Sequence, residues 1–142
     1  MPFRPSFAAA LLAAGLLSFA AHAEMRQFSA HLDGASEVPA KQSGGTGELT
    51  ATLDTATRTL TYTLTYSGLT DAATAAHFHG PAAAGKNAGV EAPIKPPTSP
   101  AKGSVKLTPT QVSQIESGLW YVNVHTKANP GGEIRGQVEP AK

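Results

Sequence analysis

The 142-residue chain contains no cysteine. This absence excludes disulfide bonds, thiolate catalysis and every metal site that needs a thiolate ligand. Aromatic residues make up only 6% of the chain and charged residues 15%. No apolar run beyond the first 23 residues is long enough to cross a membrane. A domain with these deficits must be held together by hydrophobic packing and by the hydrogen bonds of a sheet, with a bound metal as a further option.

The charge of the chain is nearly balanced, with 11 basic and 10 acidic residues. One basic residue, Arg4, lies in the N-terminal segment, so the remainder carries 10 residues of each sign. Nucleic-acid-binding domains show a basic patch or a platform of stacking aromatic residues, and this chain has neither. The composition therefore predicts no nucleic-acid partner.

Residues 1–23 have the three parts of a secretory signal peptide. Arg4 supplies the positive charge, the segment from Phe7 to Ala20 is mostly apolar, and Ala21-His22-Ala23 has the small-x-small form of a cleavage site. The alternative, an uncleaved N-terminal anchor, is disfavoured by the short apolar segment. We therefore predict an exported protein, periplasmic or secreted, in which residues 24–142 form a single domain without a transmembrane segment.

The remainder alternates between apolar and polar residues, as strands do. The clearest case is the segment 58–66, where Leu60, Tyr62, Leu64 and Tyr66 share one face. The other predicted strands are 27–33, 48–54, the segment around His77 and His79, 90–94, 103–107, 119–126 and 133–138. The pattern predicts an all-β, antiparallel β-sandwich of seven or eight strands.

One short helix is predicted near residues 109–117. Thr108 can cap its N-terminus, Pro109 suits the first helical position, and Gln111 completes a capping box. Gly118 ends the helix.

Three histidines form the candidate site. His77 and His79 lie two residues apart in one strand, so their side chains share a face. His125 lies on the polar face of the strand 119–126, which we expect to be close by. Three imidazoles with an open fourth position suit Zn(II), and imidazole also suits Cu(II). In the alternative interpretation, the same histidines hydrogen bond to backbone, to Glu133 or to loop carbonyls and hold the loop 80–103 in place.

Further polar residues are predicted to support this site. Asn123 and Glu133 are candidates for orienting the imidazoles. Arg135 is interpreted as a clamp on the carbonyls of a neighbouring loop, because Gly132 and Gly136 permit close approach of the backbone. A surface ion pair between Glu133 and Arg135 is the alternative. Glu133 is the only identifiable general base, and the residues favour a non-enzymatic binding protein over a metalloenzyme.

Six segments carry a family resemblance: Phe28–Pro39, Gly47 with the strand that follows it, Tyr66–Leu69, Ala76–Pro81, Gly118–Thr126 and Pro130–Gln137. Their order and spacing resemble the CHRD domain, over nearly all of the chain from Phe28 to Val138. That domain is named after the repeats of chordin and also occurs as a single exported domain in bacteria.

The resemblance implies a β-domain whose pattern includes His77, His79 and His125, and it supplies no catalytic residues. Chordin antagonises extracellular growth factors, but fold does not transfer function, and we do not carry that activity over. The histidine strand is also similar to the metal-binding strands of copper/zinc superoxide dismutases. This chain lacks their second metal site and their disulfide, so dismutase activity is not expected.

Two hypotheses remain open. In the first, the chain is a binding protein that holds Cu(II) or Zn(II) through three histidines. In the second, it is a metal-free interaction module of the periplasm or cell envelope, whose partner is an unknown protein or small ligand.

Overall fold

The structure is a computed structural model that describes residues 1–2, 18 and 22–142. The central part of the predicted signal peptide, residues 3–17 and 19–21, lies outside the described residues. Within the described part, no helix combines the length and the hydropathy needed to span a bilayer.

The described chain forms eight strands and one helix. Their bounds are β1 Met25–Asp33, β2 Thr46–Asp54, β3 Thr59–Ser67, β4 Ala73–His79, β5 Val90–Pro93, β6 Ala101–Lys106, α1 Pro109–Glu116, β7 Trp120–Thr126 and β8 Ile134–Pro140. The helix begins with the predicted capping box, because the Gln111 N–H donates to Thr108 Oγ1 (3.2 Å) and the Thr108 N–H donates to Gln111 Oε1 (2.9 Å).

All eight strands belong to one antiparallel sheet in the order β5-β4-β7-β8-β1-β2-β3-β6. The sheet curls until it is nearly barrel-shaped. Tyr62 of β3 packs edge-to-face on Phe78 of β4 with ring centroids 5.2 Å apart, although four strands lie between β4 and β3 in the sheet order. The predicted all-β antiparallel fold with one short helix is therefore confirmed, with its two halves facing each other across one core.

The apolar faces predicted from the alternation point into this core. Leu60, Leu64, Phe78 and Trp120 are completely buried. Burial of each such side chain contributes about 1.5–3 kcal/mol relative to exposure. Because the core takes one face of each strand, the other face is left for polar residues.

Candidate metal centre

Strands β4 and β7 are direct neighbours, which the sequence alone left open. They pair antiparallel, with His77 opposite Asn123 and Ala75 opposite His125. Residues that lie opposite each other in a sheet share a face. The pairing therefore places His77, His79 and His125 on the same side of the sheet.

The three imidazoles converge. One ring nitrogen from each histidine lies within 4.8 Å of the other two. The closest approach is 3.0 Å, between His77 Nδ1 and His125 Nε2. In a tetrahedral site with metal–nitrogen bonds of about 2.1 Å, two ligand nitrogens lie about 3.4 Å apart. The first pair is already within this distance, and a pair 4.8 Å apart would close by about 1.4 Å.

His125 is held in the orientation that a metal ligand needs. Its Nδ1 lies 2.9 Å from the carbonyl oxygen of Pro130. A carbonyl only accepts hydrogen bonds, so Nδ1 carries the hydrogen, and in the neutral imidazole Nε2 then carries the lone pair. The lone pair of Nε2 then faces His77. A hydrogen bond to the remote nitrogen is the usual way in which proteins orient a metal-binding imidazole.

His79 is more firmly engaged than the other two histidines. It is only 9% exposed, whereas His77 and His125 are partly exposed. Its Nδ1 lies 3.1 Å from the Ala88 carbonyl oxygen, and its Nε2 lies 3.0 Å from Asn123 Oδ1. His79 must therefore exchange one of these two hydrogen bonds before it can bind a metal.

Asn123 connects His79 to a buried carboxyl group. Its Nδ2 donates to Glu37 Oε1 at 3.3 Å, and Glu37 is 6% exposed. With the amide oxygen towards His79, both ring nitrogens face hydrogen-bond acceptors, so the imidazole carries both hydrogens. With the amide reversed, the imidazole is neutral and Glu37 donates to the amide oxygen. The orientation of the amide thus couples the protonation of His79 to that of Glu37.

Burial favours the neutral forms of these groups. It raises the pKa of Glu37, although the hydrogen bond from Asn123 and the charge of Arg135 oppose it. Burial lowers the pKa of His79, against its hydrogen bonds to Ala88 and Asn123. The pKa of His77 is lowered by burial and then by the positive charges of His125, His79 and Lys95. Neutral imidazoles keep the lone pairs that a metal requires.

The loop 80–89, which leads from β4 to β5, covers part of this face. The Tyr121 hydroxyl accepts from the Ala88 N–H and donates to the Ala88 carbonyl, both at 3.1 Å. The Tyr121 ring stacks on the His79 ring, with centroids 4.7 Å apart and an interplanar angle of 1°. The Ala88 carbonyl accepts hydrogen bonds from both His79 and Tyr121. If His79 turns away, the carbonyl therefore keeps the hydrogen bond from Tyr121.

Arg135 holds the same loop. Its Nη2 donates to the Lys86 carbonyl at 2.6 Å and its Nη1 donates to Asn87 Oδ1 at 3.0 Å. The guanidinium carbon lies 3.5 Å from the centre of the Tyr121 ring. Arg135 is 1% exposed. The planar fork and the stacking are properties of arginine that lysine cannot reproduce.

We predict that Arg135→Lys makes the Lys86–Asn87 bond accessible to trypsin. The variant keeps the charge but loses the fork, so the loop opens and cleavage there becomes at least about 10-fold faster, equivalent to about 1.4 kcal/mol of lost restraint. Limited proteolysis followed by mass spectrometry measures the rate at this bond. Arg58→Lys, at an arginine that donates to Leu107 instead, is the control. Equal rates for both variants would show that Arg135 does not restrain the loop.

Glu133 lies apart from the histidine cluster. It is completely buried, and its carboxylate accepts four hydrogen bonds. They come from Ser43 Oγ (2.9 Å), the Thr70 N–H (2.9 Å), Thr126 Oγ1 (2.9 Å) and Asn129 Nδ2 (3.0 Å). Glu133 therefore holds neighbouring segments of the chain together. The ring nitrogens of the three histidines make their contacts with other residues.

Two residues of this network were missed by the sequence analysis, Glu37 and Tyr121. The alternation of β7 already placed Tyr121 on the same face as Asn123 and His125, so strand parity was a usable signal. Glu37 follows β1 in an irregular segment, where no periodicity applies. Its signal was limited to its place in the first of the six segments that carry the family resemblance.

The comparisons with known proteins give one match. A family model described as the CHRD domain matches residues 28–138. This range contains every residue of the histidine cluster and of its supporting network. Neither the search of curated proteins nor the search of solved structures returns a match.

Proposed function

Because the chain belongs to the CHRD domain family, we propose that it is an exported, non-enzymatic β-domain that binds Cu(II) or Zn(II) through His77, His79 and His125. The observation that carries the proposal is the convergence of three ring nitrogens within 4.8 Å. Export is proposed from the composition of residues 1–23. Mass spectrometry of the exported protein tests it, with a chain beginning at Glu24 as the expected result.

The chemistry of the donors agrees with this choice of metals. Three imidazoles and no thiolate suit Zn(II) and Cu(II) better than a soft ion such as Cu(I). The Pro130 carbonyl orients His125, and the Asn123 amide contacts the imidazole of His79. A metal held by three protein ligands keeps an open coordination position.

We predict one-to-one binding of Cu(II) and Zn(II) to the metal-free mature protein with a dissociation constant below about 1 µM. The double variant His77→Ala/His79→Ala removes two of the three donors, so we expect its affinity to fall at least about 100-fold. Isothermal titration calorimetry measures both. His31→Ala is the matched control, because His31 lies on β1 and contacts Glu48 rather than the cluster. Unchanged affinity in the double variant would overturn the proposed site.

A second candidate function is supported by the engagement of His79. Both of its ring nitrogens already have partners, and one partner is a carbonyl of the loop 80–89. In this alternative the domain is a metal-free interaction module, and His79 and Arg135 keep the loop in shape for a protein partner. It predicts no metal binding and a lower melting temperature for the double variant.

A further inference from the structure

A groove opens beside His77. It runs between β4 and the segment that follows β5, and its walls are formed by Thr74, Ala75, Ala76, His77, Ile94, Lys95, Pro96 and Pro97. Alanine, isoleucine and proline make these walls largely apolar. Of the three histidines, His77 lines the groove. Lys95 is the one permanently charged residue among the lining residues.

The surroundings of the histidine cluster are positively charged. The charge of Lys95 acts on His77, and the charge of Arg135 acts on His79. Neither buried acidic residue contacts these imidazoles directly. Glu133 accepts its four hydrogen bonds from other residues, and Glu37 reaches His79 only through Asn123. A divalent ion held by three neutral imidazoles would keep its full charge and would attract an anion.

The position of Lys95 indicates where such an anion would lie. Lys95 is exposed and shares the groove with His77, which is partly exposed. An anion at the open position of the metal would therefore meet a second positive charge on the groove side. The apolar residues Pro96 and Pro97 continue the same wall, which favours a ligand with an apolar body behind its charged group.

We propose that the metal-loaded site binds the carboxylate of a small apolar monocarboxylic acid. The carboxylate occupies the open position of the metal and pairs with Lys95, and the apolar body lies along the groove. This inference rests on the proposed function, because without the metal the groove holds one exposed ammonium group only.

The test uses mature protein loaded with one equivalent of Cu(II), with loading verified by calorimetry. Benzoate, acetate and uncharged benzamide are titrated separately, and the electron paramagnetic resonance spectrum of the copper is recorded. We expect benzoate to change the spectrum at lower concentration than acetate, and benzamide to leave it unchanged. Lys95→Gln should weaken benzoate binding about 5-fold, the effect of losing one exposed ion pair. Lys102→Gln, at an exposed lysine on β6, is the control and should change it less than 2-fold.

The outcomes separate the two proposals. Protein that does not bind copper overturns both of them. Protein that binds copper but shows no spectral change with benzoate overturns this inference and leaves the metal site in place. Equal benzoate affinities in the Lys95 and Lys102 variants overturn the role of Lys95 in the groove.

Discussion

Replacing Glu133 by glutamine is expected to lower the free energy of unfolding by about 3 kcal/mol at pH 7. Burial alone would raise the pKa of this carboxyl group, but the hydrogen bonds from Thr70, Thr126, Ser43 and Asn129 lower it to about 2. A glutamine has an NH₂ group in place of one carboxylate oxygen, so two of these four donors lose their acceptor. The loss is large because the four donors lie in three separate segments of the chain, around residues 43, 70 and 126–129, which the carboxylate joins.

The destabilisation caused by Glu133→Gln should depend on pH. The pKa of Glu133 is about 2 in the folded protein and 4.5 in the reference state. A lowered pKa stabilises the fold fully above the unfolded value, and that stabilisation is lost as the pH falls towards 2. The difference in stability between the wild type and Glu133→Gln should therefore shrink steadily between pH 4.5 and pH 2.

Urea denaturation at pH 7, 4, 3 and 2 measures this difference. Glu139→Gln is the matched control, because Glu139 is exposed on β8, and its effect should stay within about 0.5 kcal/mol at every pH. A difference between the wild type and Glu133→Gln that does not depend on pH would contradict the ionised, four-fold hydrogen-bonded carboxylate.

Replacing Gly136 by alanine is expected to destabilise the fold by about 3 kcal/mol or more, or to prevent folding. A Cβ at this position would lie 2.2 Å from the His31 carbonyl oxygen and 2.8 Å from its carbon. These are backbone atoms of β1, which is paired to β2 on its other side through His31 and Glu48. The clash therefore cannot be relieved by turning a side chain.

The midpoint of urea denaturation reports this effect. Gly44→Ala is the control, since nothing lies within 4 Å of the corresponding Cβ. The Gly136 variant should also disturb the neighbouring Arg135 and release the loop 80–89, which trypsin cleavage at Lys86 would detect. Stability within about 1 kcal/mol of the wild type would show that β1 and β8 are further apart than in this structure.

His79 links the two hypotheses about function. It contributes a donor to the candidate metal site, and it holds the loop 80–89 through Ala88. Because Tyr121 donates to the same carbonyl, the loop keeps an attachment when His79 changes partner. Binding of a metal and retention of the loop are therefore compatible.

Much of the architecture followed from the amino-acid sequence by itself. The positions of the strands along the chain, the shared face of Leu60 and Leu64 and the helix capped by Thr108 were all predicted, because alternation and capping depend on residues close together in the chain. Strand parity also placed His77, His79 and His125 on polar faces. The glycines at positions 132 and 136 were predicted to permit a close approach of the backbone, and the structure has such an approach at Gly136.

Only the tertiary structure decided how these local features meet. The pairing of β4 with β7 depends on the register between segments about 45 residues apart, which no local pattern encodes. The burial of Asn123 and Arg135 depends on the path of the loop 80–89 over the sheet. Glu133 precedes the first residue of β8, so alternation did not determine its direction, and its carboxylate turns to the loops. Local periodicity sets the face of a strand residue, whereas long-range packing sets its neighbours.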